Sequence, residues 1–207
     1  MLKQLTLGLI ILSFIVGIYF FPQLPDQMAS HWNFEGEVDG HMEKTMGTFL
    51  LPIVALAIYL LMTFLPKIDP LRMNYLAFQR EYNLFISAVT FFMVYIYTVQ
   101  LAANLGYTIN MSVMMMPAMG ILFYFIGTVM EKAKQNWFFG IKTPWTLSSE
   151  VVWNKTHALG AKVFKAMAIV FIIPIFLPQL YMAAIALIVV AALGLVVYSY
   201  LEYKKLK

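Results

Sequence analysis

The 207 residues are 62% hydrophobic and 12% charged, with a mean hydropathy of +0.79, far from the roughly 45–50% apolar and 25% charged of a soluble domain. The chain belongs in a bilayer. It has no cysteine, which removes disulfide frameworks, thiolate metal sites and cysteine nucleophiles, and its formal net charge of +4 matters less in a membrane than where the lysines lie.

A span needs about 20 mostly apolar residues. The first such run, 5–21, follows Lys3. It exceeds the roughly 7–15 residues of a signal-peptide core and no A-x-A pattern follows it, so it reads as an uncleaved first span. After it comes PQLPDQMASHWNFEGEVDGHMEKTM, residues 22–46, with five acids against one lysine. His31, Glu35, Glu37, Asp39 and His41 fall close together there and suggest a metal. No pair among them stands at a recognised finger or zincin spacing, and Gly36 and Gly40 make EGEVDG a tight turn. The segment therefore reads as a compact ordered loop without metal: Pro25 opens it, Trp32 anchors it at the interface, and Asn33 and Asp39 bond the turn backbones.

Runs 47–65, 84–103 and 112–130 give the next three spans. Between the second and third, PKIDPLRMNYLAFQREYN reads as a proline turn followed by an amphipathic helix start, with Arg80 and Glu81 solvated. The loop 104–111 is short and neutral. Residues 131–165 carry three of the four tryptophans and six lysines. Here Gly140 permits a tight turn and Thr143 is forced extended by Pro144, so GIKTPW is an irregular strap flanked by Trp137, Phe138, Phe139 and Trp145. Ser148 or Ser149 caps a helix with Glu150 in its first turn, on which Trp153, Thr156, His157 and Gly160 share a face. The uncharged run 166–200 is too long for one crossing, about 52 Å at 1.5 Å per residue. It must fold back at Pro174, Pro178 and Gln179.

That makes an all-α integral membrane protein of six spans in the cell membrane. Its organisation is a hairpin at 1–66 with its loop, a middle hairpin at 67–130, and the strap with a last hairpin at 131–207. Thirteen of the fourteen lysines and arginines fall on the side of the termini, Lys44 alone lying across, so both termini are expected in the cytoplasm. His31 and His157 are then separated by about 30 Å of hydrocarbon, which excludes a shared histidine centre. Neither loop alone holds a nucleophile, a base and an orienting partner, and no ionisable group lies mid-span, where ion-coupled transporters place them. The reading is a receptor and not an enzyme, with no cofactor, the alternative being a small permease or lipid-handling protein. A basic aromatic patch at the headgroups suits anionic lipid or a cytoplasmic protein and is hard for a nucleic-acid duplex to reach.

At these residues the chain resembles the SdpI family of bacterial membrane immunity proteins. The outer loop is similar to the family's N-terminal domain in Pro25, His31, Trp32, Asn33, Gly36, Asp39, Gly40 and Lys44. The inner segment is similar to its C-terminal signature in Asn136, Phe139, Gly140, Ile141, Lys142, Thr143, Pro144, Trp145, Thr146, Leu147, Trp153, Thr156, His157 and Gly160. Lys142 stands where the family pattern has arginine, and Ala158 where it has a basic residue. The resemblance implies protection against a secreted membrane-active peptide toxin and, for the regulatory member, capture of a cytoplasmic transcriptional repressor. It marks as binding residues His31, Trp32, Asn33, Gly36, Asp39, Gly40 and Lys44 outside, and Asn136, Gly140, Lys142, Thr143, Pro144, Trp145, Trp153, Thr156 and His157 inside.

Overall fold

The computed structural model describes residues 2–33 and 35–206; Lys207, one of the lysines in the charge count, lies outside them. Among the described residues six helical stretches are long and apolar enough to cross a membrane: Leu2–Gln23, Lys44–Ile68, Arg72–Asn104, Met111–Met130, Glu150–Phe176 and Tyr181–Lys204. This is the all-α multi-pass architecture that the run lengths predict. Its helices are α1 (Leu2–Phe20), α2 (Lys44–Ile68), α3 (Gln79–Asn104), α4 (Met111–Met130), the short α5 (Pro144–Ser148), α6 (Glu150–Val170), α7 (Ile173–Phe176) and α8 (Tyr181–Lys204). Two short antiparallel strands, β1 (Gln27–Trp32) and β2 (Val38–Glu43), join α1 to α2.

The fifth span differs from expectation. The helix expected after the Ser149 cap does begin at Glu150, but it runs on unbroken to Val170, so it is the first part of the fifth span and not a separate helix ahead of a span that starts near residue 166. The cause is local. Ser149 is extended and its hydroxyl accepts the Val152 N–H at 3.4 Å, while Glu150 sits in the first turn where the helix dipole favours a carboxylate. Lys155 and Lys165 therefore ride on a continuous helix, paired with Glu202 and Glu131 at 2.7 Å each. The fold-back after it comes where the prolines predict, through α7 and a single 3-10 turn, Pro178–Leu180.

The chain divides into two compact units, whose described residues fall within 1–61 and 86–118 for the first and 62–85 and 119–206 for the second. The first holds α1, the strand pair, and parts of α2, α3 and α4. Its core is Leu24, Met28, Tyr97 and Leu101, with Val16, Phe20, Leu51 and Leu105 packed around it. Polar residues tie α1 into the unit: the Thr6 and Ser87 hydroxyls meet at 2.8 Å, and the Tyr59 hydroxyl donates to the Lys3 carbonyl at 3.2 Å. Gly17 lies against the Tyr97 hydroxyl, leaving no room for a Cβ.

In the second unit α6 packs on α8 and on α4. The α4 contact is made by glycines. A Cβ at Gly120 would stand 2.8 Å from the Ala168 carbonyl oxygen, and one at Gly127 2.8 Å from that of Ala161, the close backbone approach that small residues allow in membranes. Phe123 stacks on Phe164 and meets Phe171 edge-on in the same seam. The segment before α3 is a 3-10 turn, Arg72–Phe78, that buries Tyr75 and Phe78 while Arg80 stays exposed.

Candidate functional site

Two segments gather the residues singled out above: the hairpin of β1 and β2, and the strap between α4 and α6.

The hairpin is irregular at two places: between Ala29 and His31 the extra residue is Ser30 on β1, and between His31 and Trp32 it is Asp39 on β2. Its inner anchor is Met28, fully buried against Gly47, where an added Cβ would sit 2.8 Å from the Met28 sulfur. Full burial of such a side chain stabilises by about 1.5–3 kcal/mol. A second anchor comes from α3. The Asn104 side chain accepts the Ala29 N–H at 2.7 Å and donates to the Ala29 carbonyl at 3.0 Å, pairing with that residue as a neighbouring strand would. Asn33 closes the hairpin turn, its side-chain oxygen taking the Glu37 N–H at 2.9 Å, and Gly36 supplies the positive φ of 86°. Among the described residues Asp39 does not bond the turn backbone as expected; it meets the His31 ring nitrogen at 2.5 Å on the exposed face. Gly40 faces the Cβ of His31, and the Lys44 ammonium lies over the Phe21 ring, 4.9 Å from its centre. Glu43 precedes α2 and takes the Met46 N–H at 3.2 Å; the Thr45 backbone N–H above all, with Met46, the Thr45 hydroxyl and Lys44, holds its carboxyl below the usual range. No group of three or more His, Asp or Glu able to hold a metal occurs among the described residues.

Beneath the hairpin lies a cleft of about 280 Å³ lined by His31, Trp32, Met42, Gln100, Met111 and Met115, among others. Its walls are almost wholly apolar and rich in methionine, whose unbranched thioether repacks around irregular shapes.

The strap has little regular structure, so its backbone N–H groups need other acceptors. Side chains supply them. Trp137 N–H donates to Asp69 at 2.9 Å, Phe138 and Phe139 N–H to the Asn136 side-chain oxygen at 3.0 and 2.6 Å, Ile141 N–H to His157 Nε2 at 3.0 Å, and Thr143 N–H to the Thr146 hydroxyl at 2.9 Å. The Asn136 oxygen also accepts the Tyr75 hydroxyl at 2.9 Å, and Gln135 donates to the Thr146 and Leu147 carbonyls. Thr143 and Thr146 form a reciprocal capping box on α5, with Pro144 at its first turn.

His157 is the hub. Its Nε2 accepts from Ile141, so the proton sits on Nδ1, which faces the Trp153 carbonyl at 2.9 Å; in that tautomer the ring is neutral. Trp153 stacks on it at 3.9 Å between ring centres and donates its indole N–H to the Ala133 carbonyl at 2.9 Å. Gly140, at φ 113°, lies against His157 Nε2 so closely that no Cβ fits. The face predicted from helical spacing, Trp153, Thr156, His157 and Gly160, is buried against this strap.

The strap residues thus separate into two sets. Asn136, Thr143, Trp153, Thr156 and His157 point inward and are buried, whereas Lys142 and Pro144 are exposed, beside Lys132, Lys134 and Trp137. Trp145 is half-buried against Tyr200, ring centres 5.1 Å apart. Asp69, Tyr75, Gln135 and Asn104 are structural partners that the sequence reading did not single out for these roles; an aspartate next to a proline, in a segment otherwise basic, was the one available signal.

Comparison with known proteins matches this division of the chain. Residues 8–56 match a domain of unknown function, DUF1648, which takes in α1, the hairpin and the start of α2. Residues 132–199 match the SdpI/YfhL protein family, from the strap into the last turns of α8. The chain is 28% identical to Immunity protein SdpI of Bacillus subtilis (strain 168) over 208 residues, covering 98% of this chain and 96% of that protein. The family match covers the C-terminal part of the chain, and the similarity to that immunity protein extends over nearly all of it. The chain is also 38% identical to the uncharacterized membrane protein YbgB of the same organism over 47 residues, 23% of this chain and 52% of that protein. No solved structure matches. Six apolar helices and these relatives make it a multi-pass protein of the cell membrane.

Proposed function

We propose that this chain is a membrane immunity protein that protects its cell against a secreted, membrane-active peptide toxin. The observation that carries the reading is the nearly end-to-end similarity to Immunity protein SdpI, which takes in both the hairpin and the strap. In this reading both termini are cytoplasmic, the hairpin faces outward, and the cleft beneath it receives an apolar segment of the toxin. The lining supports that role: methionines adapt to hydrophobic side chains, Trp32 offers a rigid aromatic wall, and Gln100 gives one polar contact. His31, Asn33, Gly36, Asp39, Gly40 and Lys44 shape the mouth. On the other side, Lys132, Lys134, Trp137 and Pro144 form the exposed surface to which a cytoplasmic repressor would bind, with Asn136, Thr143 and His157 holding it in form.

The test is expression in a toxin-sensitive cell challenged with secreted peptide toxins. Survival with the wild-type chain and killing with Met115→Trp, which fills the cleft, is the expected pattern. Killing of the wild-type strain across the whole panel at the rate of the empty vector would count decisively against the proposal.

A further inference from the structure

A second cavity lies wholly within the second unit, where the strap runs beside the ends of α2, α3 and α4 and the body of α6. It measures about 360 Å³, within the range of sites that take small molecules. Leu65, Phe85, Ile126 and Phe164 give it hydrocarbon walls. The Tyr82 hydroxyl on its lining is already spent on the Met62 carbonyl at 2.8 Å. One cation remains. Lys142 lines the groove, is exposed, and has no carboxylate partner among the described residues; its ammonium donates one hydrogen bond, to the Phe138 carbonyl at 3.2 Å, and keeps protons for another acceptor.

We propose that this groove is a site for an anionic phospholipid of the surrounding bilayer, one acyl chain lying among Leu65, Phe85, Ile126 and Phe164 and the headgroup phosphate paired with Lys142. The charge pattern selects that occupant. A wholly apolar molecule would make no use of the ammonium's remaining donors, and a polar one would gain little from walls that offer only dispersion contacts, so the complement is a chain with a negative head. Lysine suits this role as a compact point charge that accepts a phosphate from many directions, where arginine would demand a planar fork. The proposal does not depend on the immunity reading, since a bilayer around the protein is all it requires.

The full chain, reconstituted with phosphatidylglycerol and phosphatidylcholine of identical acyl chains and released for native mass spectrometry, tests it. Wild type is expected to retain phosphatidylglycerol in preference, Lys142→Gln to lose that preference by about fivefold, and Ile126→Trp to retain less of both lipids. Lys204→Ala, at an exposed lysine that does not line the groove, is expected to match wild type. Equal retention of the two lipids by wild type, or an unchanged preference in Lys142→Gln, overturns the proposal. So does displacement of the phospholipid by oleate at equal concentration, which would identify a fatty-acid site instead. Should Ile126→Trp melt early, Lys142→Gln decides the matter, because its side chain is exposed and its loss leaves the walls intact.

Discussion

The backbone N–H of Ile141 donates to Nε2 of His157 across 3.0 Å and sixteen residues of chain. This bond joins the strap to the fifth span and gives the imidazole a structural role. Acyl transfer or proton abstraction would need Nε2 free toward a substrate; here the strap occupies it.

Replacing His157 with alanine leaves the Ile141 N–H buried without an acceptor and removes the ring on which Trp153 stacks. A loss of about 2–4 kcal/mol is expected, read as a lower melting temperature in detergent and faster amide exchange through residues 137–143. Unchanged exchange there would show that the bond does not hold the strap.

The Asn136 side chain has several dependents, since one oxygen serves the Phe138 and Phe139 amides and the Tyr75 hydroxyl. Asn136→Ala is expected to cost about 3 kcal/mol or more. Asn136→Leu, similar in volume, is expected to cost as much, because the deficit is in acceptors and not in space. A thermal melt of the two variants side by side separates these causes.

At Gly140 the conformation and the neighbour agree. A side chain must adopt φ 113° and occupy the place of His157 Nε2. Gly140→Ala is expected to destabilise by about 1–3 kcal/mol, whereas Gly8→Ala, with open space around its added carbon, is expected to be neutral or slightly stabilising in the same melt.

The hairpin offers a local test. Asn104→Leu removes both bonds to Ala29 but leaves Met28 seated beside Gly47. Exchange of the Ala29 amide should rise about tenfold or more while the melting temperature moves little. A global loss of stability would mean that the pair bears on more than the strand.

Sidedness is testable in a chain that lacks cysteine. On intact cells, Ser30→Cys is expected to react with an impermeant maleimide and Ser148→Cys only after permeabilisation. Labelling of both from outside would place the hairpin and the strap on one side and remove the proposed division of labour.

Much of this architecture was legible in the residues, and the limits of that legibility have physical causes. Run length and the proline-rich fold-back disclosed six spans because hydrocarbon thickness fixes helix length. The Ser149 cap, the Thr143–Pro144 start and the buried face of α6 were visible because capping and helical period are local. The strand pair was not, because two bulges at Ala29, His31 and Trp32 break the two-residue alternation that marks a strand. The fifth span was placed late because its first half carries lysines, whose partners Glu202 and Glu131 lie 47 and 34 residues away along the chain. Asp69 and Asn104 show the same limit: a side chain that satisfies a backbone group 68 or 75 residues distant looks like any loop polar residue until the fold is known.

The glycine seam between α4 and α6 constrains how these helices can move. Its two contacts, Gly120 on Ala168 and Gly127 on Ala161, lie one heptad apart on each helix, so an axial slide would carry the glycines off their carbonyls and bring up larger residues of the same face, such as Phe123. A piston stroke between them is closed off. Within the second unit the two helices are therefore joined backbone to backbone and would have to move as one strut.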